Sequence, residues 1–287
     1  MDHSHSRIRK AQADVNAALE RLAASLRSGK PEELVEYLSF WAKFHRYSFH
    51  NVALILSQHP TATHVAGFQA WRKVARFVKK GEKGIAILYP RIKAREDDET
   101  GEKERFLSGF GIGYVFDVLQ TDGQPLPEAP AWRASGPARQ EDVDRLSAAI
   151  EAHGIPVRID RGAVEERAPG ADGVTYPEGE GLRILVRDDL SLAAVVHTLI
   201  HEWAHGILHF GPDRPESREV RELEADATAC AVAAVLGYDH TAGTYQYLSG
   251  WDATAEGLAL ALPRIGRAVR TMLNGIGFEE AREEAVA

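Results

Sequence analysis

The spacing of apolar residues changes along the chain. Ile8, Ala11, Val15, Ala18, Leu19, Leu22 and Leu26 recur at three- and four-residue steps. That step puts them on one face of a helix, so residues 7–27 are expected to be helical. Gly29-Lys30-Pro31 breaks the pattern. A second helix follows over 31–46, with Leu34, Leu38 and Trp41 on one side and Pro31 at the first position, where a missing N–H costs nothing. A third is expected over 51–57, stopped by His59-Pro60, and a short fourth over 67–79. Residues 85–92 and 106–119 then read as strands, and the charged run from Arg95 to Arg105 joins them as a hairpin tip.

Residues 122–141 are rich in Pro, Ala and Gly. They mark a linker over 123–140 between domains at 1–122 and 141–287. Beyond it a helix is expected over 143–152 and a strand over 155–159. A hairpin is expected from 174–176 and 182–186 around Glu178-Gly179-Glu180-Gly181. Helices follow over 192–210, 216–236 and 253–273. Strand-rich and helix-rich stretches in both halves make the fold class α+β, with a helical and hairpin N-terminal domain.

The helix over 192–210 is apolar nearly all round, through Leu192, Val195, Val196, Leu199, Ile200, Trp203, Ala204, Ile207 and Leu208. It reads as a buried central helix, with Ser191 as its capping residue. Within it lies His201-Glu202-Trp203-Ala204-His205, the pattern H-E-x-x-H. Residues four apart stack on one helix face, so His201 and His205 can bring two ring nitrogens to one metal ion. Glu202 lies about 100° round, in reach of water on that ion. Two histidine ligands and a glutamate base on one helix form the metallopeptidase arrangement, with one zinc ion as cofactor. His197 and His209 continue the four-residue series at the edges of the ligand face and are expected to be hydrogen-bonded or packing histidines.

The third ligand is expected to be a carboxylate on the next helix, where Glu222 and Glu224 compete. Glu222-Leu223-Glu224-Ala225-Asp226 resembles the E-x-x-A-D signature of gluzincin-type peptidases. The resemblance implies that Glu222 binds the metal and that Asp226 orients a ligand histidine. Glu224, about 200° round from Glu222, is expected to face solvent.

Charge adds a second chemistry. Across the whole chain the net charge is −8, yet from Lys43 to Arg95 there are eleven bases and one acid, Glu82. Such asymmetry points to a polyanion as partner of the N-terminal part. Arg46, Arg72, Lys73, Arg76, Lys79, Lys80 and Lys83 are the candidate phosphate contacts, and Tyr47 and Phe49 the candidate rings for stacking bases of single-stranded DNA. On composition alone Phe40, Trp41, Phe68 and Phe77 could equally sit in a core, with the lysines on a solvated face. Phe44, Tyr47, Ser48 and Asn51 fit F-x-x-Y-S-x-x-N. Val65, Gly67, Phe68 and Trp71 fit V-x-G-F-x-x-W, and the run from Val78 to Ile87 fits V-x-K-G-E-K-G-I-x-I. These motifs resemble the N-terminal domain of ArdC-type antirestriction proteins. The resemblance implies a single-stranded-DNA-binding domain followed by a zincin-type metallopeptidase domain. The second half is also similar to the ImmA/IrrE metallopeptidases.

Hydrophobic content of 44% and charged content of 26% are those of a globular protein, and no apolar run reaches membrane-span length. The first residues lack the apolar segment of a secretory signal, and the one cysteine, Cys230, cannot form an internal disulfide. A cytoplasmic protein without membrane contact is expected. Glu202 would take a proton from zinc-activated water attacking a peptide carbonyl, with the strand over 182–186 holding the substrate by edge pairing. Tyr176 and Tyr247 are weak candidates for a further electrophile. Three roles follow: a protease acting on DNA-associated protein, a DNA-masking antirestriction protein with a structural or vestigial zinc site, and an ImmA/IrrE-type protease cleaving a repressor.

Overall fold

The computed structural model describes residues 2–28, 30, 32–42, 44, 47–96, 103–126, 138–238 and 254–278. In chain order its elements begin with α1 (Asp2–Arg27), α2 (Glu32–Ala42), α3 (Phe49–Gln58), β1 (Val65–Gly67), α4 (Phe68–Lys73) and β2 (Arg76–Val78). Next come β3 (Ile85–Glu96), β4 (Lys103–Asp117), a 3-10 turn (Val118–Gln120) and β5 (Thr121–Gly123). The second half holds α5 (Gln140–Ala152), β6 (Val157–Ile159), α6 (Arg161–Arg167), β7 (Gly173–Glu178) and β8 (Gly181–Val186). It ends with α7 (Leu192–Leu208), α8 (Arg218–Leu236) and α9 (Ala255–Gly275). The fold is α+β. Two compact units divide it: Met1–Leu19 with Tyr47–Pro125, and Glu20–Arg46 with Leu126–Ala287.

In the first unit β1, β4 and β3 form an antiparallel sheet in that order, and β2 pairs with β5. Ser48 caps α3 by accepting the Asn51 amide. The expected helix over 67–79 ends at Lys73. Ala75 adopts φ 54°, a left-handed conformation that terminates a helix, and the chain turns into β2. Gly84 sits where a Cβ would lie 2.9 Å from the Tyr114 Cβ, so only glycine lets β3 begin this close to β4.

The outer edge of β3 is covered by side chains. Asn51 donates to the Leu88 carbonyl and accepts from the Leu88 amide, each at 2.8 Å. Gln58 does the same for Ala86 at 2.9 Å. A carboxamide carries the donor and acceptor of a peptide unit, so two residues on one helix stand in for a neighbouring strand.

In the second unit β8 is central, parallel to β6 and antiparallel to β7. Both its edges are therefore used, and the expectation that residues 182–186 offer an edge to substrate is corrected: the edge strands are β6 and β7. α7 packs on β7, β8, α5 and α8, and α8 packs in turn on α2 and α9. Ala225, Ala227, Ala229, Cys230, Ala231 and Ala233 keep α8 slim enough for three helices to approach it, and all are buried. Ser217 caps its start, and Gly237 ends it at φ 81° as the sequence pattern predicts. Among the described residues no helix is long and apolar enough to cross a membrane.

Candidate metal centre and basic hairpin

Ser191 caps α7 by accepting the Ala194 amide, which fixes the phase in which His201, Glu202 and His205 emerge. The Nε2 atoms of His201 and His205 lie 3.0 Å apart. Glu222 Oε2, from α8, is 3.6 Å from the first and 3.4 Å from the second. A four-coordinate ion with bonds of about 2.0–2.1 Å sets its ligands about 3.3 Å apart. The triangle therefore fits a divalent cation. Two histidine nitrogens and a carboxylate oxygen are also a donor set such ions take.

Each ligand is held from behind. His201 Nδ1 is 2.8 Å from Asp226 Oδ1, the partner that the E-x-x-A-D resemblance implied. Arg218 Nε lies 3.5 Å from Glu222 Oε1. The rings of His201 and His205 beside it hold the Glu222 carboxyl well below the usual range. Burial disfavours charge on His201, but Asp226 and Glu222 together outweigh it and raise the group to about 10 in the metal-free protein. His205 Nδ1 is 2.8 Å from His209 Nδ1. Burial lowers the pKa of His209, against the opposing pull of Glu224.

Glu224 does not face solvent, as its angular position had suggested. It is 1% exposed, 3.0 Å from His209 Nε2, and accepts from Arg264 Nε at 2.7 Å. From Leu223 to Ala233 its helix is buried on every side, so the face opposite Glu222 looks into the interior between α7 and α9. The signal was available in the small apolar run around it.

The centre opens into a cleft of about 590 Å³, lined on one side by Asp172, Gly173, Val174 and Thr175 and on the other by Arg214, Arg218 and Arg221. Glu202 faces this cleft, and the Thr175 hydroxyl lies 2.7 Å from its Oε2 and from its carbonyl. β7 comes this close because Gly173 has no side chain: a Cβ there would stand 2.6 Å from Thr198 Cγ2 and 3.0 Å from Glu202 Cγ. The Asp172 carbonyl accepts from the Arg187 amide, so by antiparallel alternation the backbone groups of Gly173 and Thr175 point to the free edge. Tyr176 hydrogen-bonds Glu178 instead of lining the cleft, and Tyr247 lies outside the described residues.

In the first unit the candidate DNA contacts divide. Arg72, Lys73, Lys79, Lys80 and Lys83 are exposed. Arg76 is half-buried, and its guanidinium donates to the Thr121 hydroxyl and to the carbonyls of Val118, Thr121 and Gln124, so it clamps β5. Phe49 is 4% exposed and cannot stack on a base, which corrects its assignment. Tyr47 is half-buried with its hydroxyl donating to the Val65 carbonyl, a structural role. Arg46 lies outside the described residues. Trp71 is buried and donates to the Phe116 carbonyl.

The exposed rings sit elsewhere. Tyr89, Phe106, Phe110 and Tyr114 on the β3–β4 hairpin, with Phe68 and Phe77, are each more than two-fifths exposed. Pairing of Ala86 with Tyr114 and Pro90 with Phe110 puts Tyr114 and Phe110 on one face, continued past the bulge at Pro90/Ile92 by Leu107 and Ile92. Exposed Arg91 and Lys93 lie on the opposite face, which they share with Tyr89 and Phe106. The sequence carried this signal as Gly109-Phe110-Gly111-Ile112-Gly113-Tyr114, glycines on one face and large residues on the other.

Fold and site define a two-unit α+β protein in which two packed helices bring together side chains that could hold a divalent metal. Residues 10–116 match the family model for the N-terminal domain of anti-restriction factor ArdC. Crystal structures of the antirestriction ArdC protein from the R388 plasmid share the fold at 21% identity. The metal-free form has a TM-score of 0.54 and covers 92% of this chain and 97% of that one. The Mn(II)-bound form has a TM-score of 0.52 and covers 91% and 97%. Residues 10–116 thus form an ArdC-type N-terminal domain, and the chain as a whole shares the fold of the R388 protein. An uncharacterized protein of Bacillus anthracis is 24% identical over 262 residues, which is 79% of this chain but 44% of that protein, so the chain spans less than half of this relative.

Proposed function

We propose that the chain is a single-stranded-DNA-binding zinc metallopeptidase of the ArdC type, cutting DNA-associated protein. One observation carries the reading: the donor triangle of His201, His205 and Glu222 and the carboxylate of Glu202 share one cleft beside an open sheet edge. Zinc, when bound, polarises a carbonyl and makes water a stronger acid. Glu202, held by Thr175, takes the proton of the attacking water and passes it to the leaving amine. The free edge of β7 takes an extended peptide through Gly173 and Thr175. The hairpin rings and the exposed cations support the DNA partner, since flat rings stack on any base while cations neutralise phosphate.

Zinc content, single-stranded-DNA binding and cleavage of DNA-bound protein, measured on the full chain, test this. Glu202→Gln is expected to keep zinc and DNA binding and to lose turnover by on the order of a hundredfold or more. Undiminished cleavage by that variant rules out the mechanism. The hairpin face supports a second reading, antirestriction by masking DNA, because it needs no metal centre. DNA binding and nuclease protection without any cleavage by the native chain would select it. Cleavage of a repressor instead of DNA-associated protein would select the regulatory alternative.

A further inference from the structure

A histidine ligand has two ring nitrogens, and what the remote one bonds decides whether the other is bare for a metal. His201 is set by Asp226. Among the described residues His205 has no carboxylate at its Nδ1. Its neighbour there is His209 Nδ1 at 2.8 Å. His209 Nε2 in turn lies 3.0 Å from Glu224 Oε2, and Glu224 Oε1 accepts from Arg264 Nε at 2.7 Å. Arg264 also donates to the carbonyls of Leu208 at 2.9 Å and Asp213 at 2.6 Å. His209 is 3% exposed and Glu224 1%.

The direction of every hydrogen bond in this row follows from its far end. A carboxylate paired with arginine only accepts, so His209 Nε2 must carry a proton and donate. The neutral ring then has a bare Nδ1, which can only accept. His205 Nδ1 must therefore carry the proton between the two rings. That leaves His205 Nε2 bare, facing His201 Nε2 and Glu222. We propose that His209, Glu224 and Arg264 are positioning residues that fix His205 in the Nδ1–H tautomer and so prepare it to bind a divalent metal. The proposal rests on the reading of His201, His205 and Glu222 as the metal site.

Near-isosteric substitutions separate this from mere packing. In Glu224→Gln, Arg264 keeps the amide oxygen, and the amide NH2 turns to His209. Every bond in the row then reverses, and His205 carries its proton on Nε2. In His209→Gln, the amide oxygen can accept from His205 Nδ1 and the NH2 can donate to Glu224, so the direction survives. The probe is zinc alone, titrated into the full chain against a chromophoric chelator, with long-range proton–nitrogen correlation of 15N-histidine to read the tautomer. In the metal-free native chain His205 is expected as Nδ1–H. Glu224→Gln is expected to switch the tautomer and weaken zinc binding about 10–100-fold, while His209→Gln stays within about threefold of native. If Glu224→Gln does not fold, His209→Leu replaces it, since it keeps the Glu224–Arg264 pair and should also lose at least about tenfold. A native His205 protonated on Nε2, or zinc binding unchanged in the folded Glu224→Gln or His209→Leu variant, overturns the relay. If His201→Ala binds zinc as well as native, the metal-site reading has failed instead, and the tautomer spectrum of the metal-free chain still decides the relay.

Discussion

At the scale of single residues, His201 shows how the site links metal to protons. Asp226 and Glu222 outweigh the effect of burial and raise it to about 10, against 6.5 for an ordinary histidine. Between those values the folded metal-free chain holds a proton that the unfolded chain lacks. The contribution of His201 to stability is thus full below about 6.5 and is lost as pH rises through about 10. A metal needs that nitrogen bare, so zinc binding near pH 7.5 should expel about one proton from His201, and affinity should rise with pH. Calorimetric titration in buffers of different ionisation enthalpy reads the release, and identical heats in all of them would contradict it. The two competing glutamates separate in the same way. Glu224→Ala leaves Arg264 and His209 inside without their carboxylate and should cost about 3–5 kcal/mol in urea unfolding with chelator present. Glu222→Ala should chiefly cost metal binding, and equal losses of stability for the two would refute the assignment. His201, Glu202 and His205 were legible because four-residue spacing is a property of one helix. The place of Glu224 was not, because angular position says which way a side chain points but not what lies there.

At the scale of elements, what the sequence left out is who covers whom. Helix α3 was readable from its apolar spacing, but not its two carboxamides acting as the missing neighbour of β3. Asn51→Leu keeps the volume and strands the Leu88 amide and carbonyl, so it should destabilise the fold by about 1–3 kcal/mol. Gln58→Leu should cost less, since its bonds to Ala86 are exposed to water that can replace them. Urea midpoints of the two variants provide the comparison, and a larger loss at Gln58 would mean that the edge is held elsewhere. The exchange of β7 for β8 as the sheet edge had a readable cause. Leu182, Ile184, Leu185 and Val186 form a nearly continuous apolar run, as a strand flanked on both sides does, whereas β7 carries Pro177, which central strands exclude.

At the scale of the molecule, the chain concentrates cations in a stretch of an otherwise acidic protein. On a single strand each neutralised phosphate adds about 0.7 to the slope of log affinity against log salt. Replacing Lys80, Lys83, Arg91 and Lys93 with Gln should flatten that slope by up to about 2.8 and weaken every sequence alike. Phe110→Ala and Tyr114→Ala should each lose roughly 1–3 kcal/mol of binding with the slope unchanged. Urea midpoints of both variants separate this loss from a fold defect. Salt titrations of fluorescent oligonucleotides decide between these patterns, and a slope insensitive to the four cations would show that the charge serves another partner. The ArdC-type N-terminal domain was legible from its motifs. The grouping of Glu20–Arg46 with the C-terminal unit was not, since an amphipathic helix shows that it has a covered face and not which part of the chain covers it.

Helix α8 sends Glu222 to the metal triangle, Glu224 to His209 and Arg264, and Asp226 to His201, at alternate positions along five residues. Substitutions can remove these contacts one at a time. Adding or deleting one residue just before Glu222 is different, because it turns everything beyond by about 100° relative to the capped start of the helix. All three carboxylates then lose their partners together, or the small buried residues behind them do. The gene should therefore reject the insertion or deletion of one codon between Ser217 and Glu222, even at positions where it accepts a substitution. That frame is a constraint on how the protein can diverge that no list of its functional residues would reveal.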